Sequence, residues 1–166
     1  MPRLLTGSKW RKRSSKGHWM SKEIFFLDVN VPMYAAGKEH AYKTPCVWLM
    51  TEIAEGHITV AIDTEIIQEV LYRYGALGHW QIGATMATSL LDIVPTVYPI
   101  LVADARKAVE LFKRYAKQGV KARDLIHVAV MSNNALTKII STDAHFDRVE
   151  CIVRLDPQTM FAEKGR

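Results

Sequence analysis

The stretch IFFLD, at residues 24 to 28, decides the fold because four consecutive apolar residues are followed directly by an acid, Asp28. An unbroken apolar run of this length is typical of a strand in the centre of a parallel sheet, covered on both faces. From Glu23 onward, strand-like and helix-like segments alternate along the chain. This alternation predicts a single α/β domain with a central parallel sheet flanked by helices.

Hydrophobic periodicity and the positions of glycine and proline predict the other elements. Further strands are expected at residues 58–62, 93–97, 138–142 and 151–155. Helices are expected at residues 32–37, 45–55, 64–74, 80–90, 104–117 and 122–135, with a terminal helical turn from Pro157. Thr64 is the predicted N-cap of the third helix, and Gly75 is its predicted end. The helix at residues 122–135 is apolar nearly all round, which predicts that it is buried.

The composition bounds the class of protein. With 166 residues, 49% of them hydrophobic and 23% charged, the chain has the length and balance of one ordinary globular domain. No apolar run approaches the roughly 20 residues that a membrane-spanning helix needs, and the N-terminus lacks the apolar stretch of a secretory signal. We therefore expect a cytoplasmic protein with no membrane segment. Cys46 and Cys151 form no zinc or redox motif, and we expect both to be buried rather than joined in a disulfide.

The net charge of +5 is concentrated at the N-terminus. The first 19 residues carry six Lys or Arg and no acid, which leaves 16 basic against 17 acidic residues in the rest of the chain. Residues 1–21 are accordingly predicted to be a basic, disordered extension, with the folded domain at residues 22–166. The extension fits an upstream start or leader, a solvated tail, or an arm that grips phosphates, and the first two are favoured. High basicity is therefore a poor argument that the folded body binds nucleic acid.

Four acids are placed where they can share one crevice. Asp28 and Asp143 directly follow predicted strands, and the carboxyl ends of parallel strands border the active crevice of an open sheet. Asp124 lies in the first turn of a predicted helix, and Glu69 lies near the middle of another. Taken singly, each acid also fits a cap, a turn or a solvated helix position. Taken together, four carboxylates raise one another's pKa unless a cation neutralises them.

The kind of cation follows from the kind of ligand. Carboxylate oxygens without cysteine or clustered histidine favour Mg²⁺ or Mn²⁺. Such an ion keeps several waters, leaves room for phosphate oxygens and activates water for phosphodiester hydrolysis. The residues alone therefore predict an α/β protein with an acidic crevice, and they go no further than that.

Four segments in this order resemble the PIN domain family, and especially its VapC-like toxin ribonucleases. They are FFLDVN at residues 25–30, TEIIQEVL at 64–71, ARDLIHVA at 122–129 and ISTDAHFD at 140–147. The resemblance implies a ribonuclease that depends on Mg²⁺ or Mn²⁺. It also implies that the metal-binding, catalytic acids are Asp28, Glu69, Asp124 and Asp143.

Other residues in the same segments are assigned by the resemblance to supporting positions. Asn30 and Thr142 are expected to orient a carboxylate or a water from outside the set of direct ligands. Asp147 is a further candidate ligand, with an ion pair to Arg148 as the alternative. His127 lies on the same predicted helix as the third acid, and we expect a satisfied, partly buried side chain rather than a general acid.

The resemblance also implies partners. RNA is the expected substrate, and members of the toxin branch are expected to form homodimers whose crevice is blocked by an antitoxin. Two alternatives stay open, namely a non-catalytic RNA-binding or protein-interaction module of the same fold, and a metal-dependent phosphatase. A phosphatase of the haloacid-dehalogenase type needs a second acid two residues after Asp28, where this chain has Asn30.

Overall fold

The strand that begins the domain lies at the centre of its sheet. The structure, a computed structural model, describes residues 23–164, so the predicted basic extension at residues 1–21 lies outside the described residues. Within this range the strands are β1 (Ile24–Leu27), β2 (Thr59–Asp63), β3 (Thr96–Tyr98), β4 (Lys138–Ile140) and β5 (Val153–Leu155). All pair in parallel, in the order β3-β2-β1-β4-β5. The predicted α/β fold with a central parallel sheet is confirmed.

Helices connect the strands, as parallel pairing requires. Across residues 23–164 they are α1 (Asn30–Ala36), α2 (Lys43–Ala54), α3 (Thr64–Ala76), α4 (Trp80–Ile93), α5 (Val102–Tyr115), α6 (Ala122–Asn133) and α7 (Pro157–Glu163). Short 3-10 helices lie at Ala116–Gln118 and Ala144–Arg148. None of the described helices is both long and apolar enough to cross a lipid bilayer.

The core is built around β1 and α6. Phe26 and Leu27 of β1 are almost wholly buried, as the continuous apolar run predicts for a central strand. Leu125, Val128 and Met131 of α6 are fully buried, which confirms the prediction of a buried helix from its apolar circumference. Because both elements are fixed by this packing, the acids attached to them are held on a rigid frame.

The boundaries of α3 differ from the prediction. Its N-cap is Asp63 rather than Thr64, because the Asp63 Oδ1 atom accepts a hydrogen bond of 3.1 Å from the backbone N–H of Ile66. The helix also continues through Gly75, and the left-handed backbone that suits glycine occurs at Gly78, with a φ of 71°. A glycine with ordinary helical backbone lowers helix stability but does not end the helix.

Three predicted strands are shorter than expected, and one of them, predicted at residues 138–142, ends at Ile140. The strand predicted at residues 93–97 occupies Thr96–Tyr98 instead, because α4 continues to Ile93 and Pro95 follows it. The last strand begins only at Val153, which leaves Cys151 in an exposed turn. The expectation of burial is therefore wrong for Cys151 and confirmed for Cys46, and both thiols are free.

The order of the strands brings polar residues from two of them to one edge of the sheet. The chain runs outward from β1 to β2 and β3, then returns to the opposite side of β1 for β4 and β5. In open parallel sheets, ligands bind beyond the carboxyl ends of the strands at such a switch point. Asp28 directly follows β1, and its backbone N–H donates to the carbonyl of Ile140 at the end of β4. Asp143 lies three residues beyond that carbonyl, at the same edge.

Candidate active site

One cavity of about 540 Å³ at this edge of the sheet is lined by all four acids that the sequence predicts. They reach it from β1, α3, α6 and the segment after β4, in the order Asp28, Glu69, Asp124 and Asp143. Asn30 and Thr142 also line the cavity, and its basic side chains are Arg73, Lys121 and Arg123. The structure thus brings the predicted acids together, while their role in binding metal stays a prediction.

Asp28 is oriented by two neighbouring side chains that share one of its oxygens. The Asn30 amide donates to Asp28 Oδ2 at 2.8 Å, and the Ser141 hydroxyl donates to the same atom. The Asp28 Oδ1 atom is therefore the oxygen left for a cation or a water. Burial raises the pKa of Asp28 to about 6, and the Ser141 hydrogen bond only partly offsets it. Asn30 makes the contact expected of it, whereas the hydroxyl comes from Ser141 and not from Thr142.

Ser141 also connects two of the acids, and sequence reasoning missed it. Its Oγ atom accepts a hydrogen bond of 2.9 Å from the backbone N–H of Asp143 while its hydroxyl proton goes to Asp28. Ser141 is 0% exposed, whereas Thr142 lines the open cavity. The chain bends at Thr142, directly after β4, so a one-residue difference decides which hydroxyl is buried.

Asp124 and Asp143 differ in how well their charges are compensated. Burial raises the pKa of Asp124, and the neighbouring charge of Asp143 raises it further. The Asp124 Oδ2 atom is buried without a hydrogen-bond partner in the described structure. Burial works to raise the pKa of Asp143 as well, but hydrogen bonds from the backbone and ring of His145 hold it below its usual value. One oxygen of Asp124, the buried Oδ2, therefore lacks the partner that a buried polar atom needs.

Glu69 has one oxygen occupied by arginine. Arg73 donates to Glu69 Oε1 from Nε at 3.0 Å and from Nη2 at 2.7 Å, and Arg123 Nη1 lies 3.5 Å from the same oxygen. The other oxygen, Oε2, lies 4.0 Å from His127 Nε2. Although burial opposes ionisation, the nearby His127 and Arg73 lower the pKa of Glu69 to about 2. Glu69 is thus ionised at neutral pH and paired to cations on one side.

A buried ion pair lies directly behind the acids. His127 Nδ1 is 2.7 Å from Asp63 Oδ2, and both side chains are almost completely buried. Burial disfavours the protonated ring, but the bond to Asp63, with help from the nearby carboxylates of Glu69 and Asp28, outweighs burial and raises the pKa of His127 to about 10. His127 is therefore fully rather than partly buried, and only its Nδ1 atom is satisfied by a partner in the described structure.

Asp63 is the acid that sequence reasoning overlooked. It ends β2, so it obeys the same strand-end rule that selected Asp28 and Asp143. Its two oxygens are both occupied, one by the backbone of α3 and one by His127, and the side chain is 0% exposed. Asp63 therefore faces the core instead of the cavity, where it fixes the imidazole behind the site.

Asp147 lies outside the cavity. Its carboxylate accepts hydrogen bonds of 2.8 and 3.0 Å from the guanidinium of Arg154, so the ion pair expected with Arg148 is replaced by one across to β5. Arg154 also bonds Asp156 Oδ2 at 2.9 Å and the backbone carbonyl of Ser141 at 3.0 Å, so this network lies on the far side of β4 from β1 and meets the site only at that carbonyl. This pairing uses both oxygens of Asp147 and draws it away from the other acids.

The residues at the cavity fit a divalent cation. The donor set consists of carboxylate oxygens, which suits a hard ion such as Mg²⁺ or Mn²⁺. The unpartnered Asp124 Oδ2 and the raised pKa of Asp28 both mark carboxylates that a nearby positive charge would stabilise. Mg²⁺ is commonly held by one or two direct carboxylates and several waters, so closely packed ligand atoms are not required.

A tighter group of candidate ligands occurs elsewhere. Within residues 23–164, three ligand atoms lie within 4.8 Å of one another only in the group formed by Glu52, Glu55 and His57. This group is at the exposed end of α2, and His57 Nδ1 already lies 3.2 Å from Glu52 and 3.4 Å from Glu55. Ion pairing accounts for its geometry without a metal.

Binding of Mn²⁺ is expected to raise the melting temperature more at about pH 7.5 than at about pH 5. Asp28 binds a proton up to about pH 6 in the folded chain, so protons compete with the metal at the lower pH. At roughly 100 times the Kd, binding adds about 2.7 kcal/mol, or roughly 5 to 10 °C for a chain of this size. Differential scanning fluorimetry measures the shift.

The matched control for this shift is Glu52→Gln, which removes a ligand from the exposed group at the end of α2. The stabilisation by Mn²⁺ should persist in this variant and disappear in Asp28→Asn. If the Mn²⁺ effect were lost in Glu52→Gln and kept in Asp28→Asn, the metal would bind at the exposed group of α2 and not in the acidic cavity.

The fold and the arrangement of acids define an α/β protein with an acidic crevice, and comparison with known proteins gives its family. The family model for the PIN domain matches residues 25–150. Ribonuclease VapC13 of Mycobacterium tuberculosis is 31% identical over 132 residues, which cover 80% of this chain and 99% of that protein. The chain therefore belongs to the PIN domain family, and the similarity to VapC ribonucleases is confirmed.

Solved structures agree with this assignment at the level of the fold. The crystal structure of Mycobacterium tuberculosis VapC20, a sarcin-ricin loop cleaving toxin, has a TM-score of 0.65 and 16% identity, and the match covers 77% of this chain and 95% of that one. VapBC-5 of Mycobacterium tuberculosis, from the VapBC family of toxin-antitoxin systems, has a TM-score of 0.53 and 21% identity, with 80% and 98% coverage. The PIN architecture is thus shared far beyond the level of sequence similarity.

Proposed function

We propose that this protein is an endoribonuclease that hydrolyses RNA phosphodiesters with Mg²⁺ or Mn²⁺ held by Asp28, Glu69, Asp124 and Asp143. The observation that carries the proposal is the single cavity that all four acids line, in which Asp124 Oδ2 is buried without a partner. Similarity to ribonuclease VapC13 supports RNA as the substrate class. RNA is also available in the cytoplasm, which is where the sequence predicts that the protein acts.

The acids would have different roles in holding the cation and the attacking water. A divalent ion bound here would lower the pKa of the attacking water and stabilise the charge that develops on the phosphate. Asp28, held through Oδ2 by Asn30 and Ser141, would present Oδ1 to the ion, and Asp124 would present its unpartnered Oδ2. Asp143 keeps its position through the two hydrogen bonds from His145.

The basic residues of the cavity would position the substrate. Arg73 and Arg123 are both engaged by Glu69, so their charges are partly neutralised. Lys121 is exposed at the N-cap of α6 and has no ion-pair partner within the part of the chain described. It would therefore bind a phosphate oxygen of the RNA beside the first turn of α6, where the helix dipole adds to the attraction.

The two alternative functions, a phosphatase and a non-catalytic module, each make a demand that can be compared with the residues of the site. A haloacid-dehalogenase type phosphatase needs an acid at position 30, and Asn30 is instead a hydrogen-bond donor to Asp28 that cannot transfer a proton at neutral pH. A non-catalytic module would have no need for a buried carboxylate oxygen without a partner, such as Asp124 Oδ2, since it costs stability.

A cleavage assay tests the proposal. Single-stranded and structured RNA should be cut internally in the presence of Mg²⁺ or Mn²⁺, and EDTA should abolish the reaction. Added metal should then restore it. RNA binding without metal-dependent cleavage would support the interaction module, and release of phosphate from small phosphomonoesters would support a phosphatase.

We further infer that the protein works with an antitoxin and as a homodimer. The solved neighbours include VapBC-5, from a family of toxin-antitoxin systems, which supports an antitoxin partner. An apolar cavity of about 560 Å³ between α1, α2 and α4 offers a surface for a protein partner.

Exposed apolar side chains on and around α4, including Leu77, Trp80 and Ile82, support association with a second copy. Size-exclusion chromatography with light scattering checks the oligomeric state.

A further inference from the structure

We propose that Tyr34 and His40 form a subsite for a nucleobase next to the phosphate that is cut. The proposal rests on the proposed ribonuclease function and adds to it the element that selects and positions single-stranded RNA. Single strands are recognised mainly by stacking of exposed bases on aromatic side chains. An aromatic surface beside the acidic cavity is therefore the feature on which an unpaired base of the RNA could stack.

The subsite is a second cavity that adjoins the acidic one. It has a volume of about 370 Å³, within the range of roughly 300 to 1,000 Å³ that is usual for small-molecule sites. Asn30, Tyr34 and Arg73 line both cavities, so the two are separated only by these side chains. Asn30 bonds Asp28 and Arg73 bonds Glu69, so two of the side chains that border the subsite also hold two of the acids.

The aromatic surface belongs to a cluster of three rings, those of Tyr34, His40 and Tyr42. The rings of Tyr34 and His40 are stacked, with centroids 4.6 Å apart and an interplanar angle of 27°. His40 and Tyr42 are also stacked, at 5.9 Å and 12°. Tyr42 also contacts Tyr34, with centroids 5.5 Å apart and an interplanar angle of 37°, and its hydroxyl donates to Asp156 Oδ2 at 2.8 Å, which fixes this ring behind the other two. A base would therefore meet rings that are already oriented, which reduces the entropy lost on binding.

The rim of the second cavity suits a nucleotide. His40 is exposed, Tyr34 is half-buried, and Lys38 and Glu39 complete the polar edge. Lys38 can bind the phosphate that follows the stacked base, and Glu39 can accept a hydrogen bond from an exocyclic amino group. If the three rings only held the loop after α1 in place, RNA binding would not depend on the presence of a base next to them.

The test uses the full chain in EDTA, so that RNA is bound but not cut. Single-stranded RNAs with 2-aminopurine at successive positions are titrated, and fluorescence quenching reports stacking. We expect quenching at one or two adjacent positions, and we expect cleavage to map next to them when metal is added. Tyr34→Ala should weaken binding by about 5-fold to 150-fold, and Tyr34→Phe should bind within about 2-fold of wild type.

The controls separate the subsite from a loss of fold. Phe161→Ala removes a ring of the remote Trp48–Phe161 pair and should leave RNA affinity unchanged. His40→Ala removes an exposed ring that contacts Tyr34 and accepts a hydrogen bond of 3.2 Å from the backbone N–H of Tyr42. It should weaken binding at a temperature well below the melting temperature of the variant. An abasic nucleotide at the quenched position should weaken binding to wild type but not add to the effect of Tyr34→Ala.

Two results would overturn the subsite. If the protein binds and cuts RNA but neither Tyr34→Ala nor an abasic position changes affinity, the base is held elsewhere and the ribonuclease proposal stands. If the protein neither binds nor cuts RNA, the ribonuclease proposal fails and the subsite fails with it.

Discussion

Replacing Asp28 with asparagine is expected to lower the rate of RNA cleavage by at least about 1,000-fold while leaving the protein folded. The amide oxygen can accept the hydrogen bonds from Asn30 and Ser141 that now go to Asp28 Oδ2. The amide nitrogen then faces the cavity in place of Oδ1, and a neutral N–H₂ group cannot ligate a hard cation. Single-turnover cleavage assays at saturating metal measure the loss.

The same substitution is expected to stabilise the metal-free protein near neutral pH. Burial raises the pKa of Asp28 from 3.8 to about 6, so the folded state binds a proton that the unfolded state has lost. The free energy of unfolding therefore falls as the pH rises from about 4 to about 6. Above pH 6 it is lower by at most about 3 kcal/mol than it would be without this shift. Asp28→Asn removes that deficit and should gain about 1 to 3 kcal/mol in urea denaturation at pH 7.5.

Asp147→Asn is the matched control for Asp28→Asn. It makes the same chemical change at an acid that bonds Arg154 outside the cavity, so cleavage should stay within about 3-fold of wild type. If Asp28→Asn retained wild-type cleavage, or if it destabilised the metal-free chain, the role given to burial and metal at Asp28 would be wrong.

Replacing His127 with alanine is expected to destabilise the protein by about 3 to 5 kcal/mol, because it leaves a fully buried carboxylate, Asp63, without its partner. The ring also contacts Phe26, with centroids 5.5 Å apart, so its removal opens a space in the core. Urea denaturation at neutral pH measures the loss. Asp63→Asn keeps a hydrogen bond to the ring and should cost less.

The pH dependence of stability gives a second measure of the same pair. The pKa of His127 is raised from 6.5 to about 10, so the pair contributes fully below pH 6.5 and is lost as the pH rises toward 10. Wild-type stability should decline across that interval, and His127→Ala should not show this part of the decline.

His57→Ala is the control, because His57 pairs with Glu52 at an exposed site and should change stability by less than about 1 kcal/mol. Equal effects of the two alanine variants would contradict the account.

Much of the fold and of the candidate site could be predicted from local sequence. The apolar run at residues 24–27 predicts a central strand because a strand covered on both faces tolerates such a run. The acids that follow β1 and β4 reach one edge because parallel strands share a direction, and Asp28 and Asp143 do line one cavity. These features follow from short stretches of chain, in which periodicity and position carry the information.

The tertiary structure alone decided which polar groups face the cavity and which face the core. Asp63 ends β2 as Asp28 ends β1, yet it is turned inward because His127, 64 residues away, supplies its partner. Ser141 rather than Thr142 orients Asp28 because the chain bends after β4, so the first hydroxyl is buried against Asp28 and the second residue lines the cavity. Such choices depend on contacts between distant segments, which local periodicity does not record, so the sequence determined where the acids lie and the packing determined how each one is held.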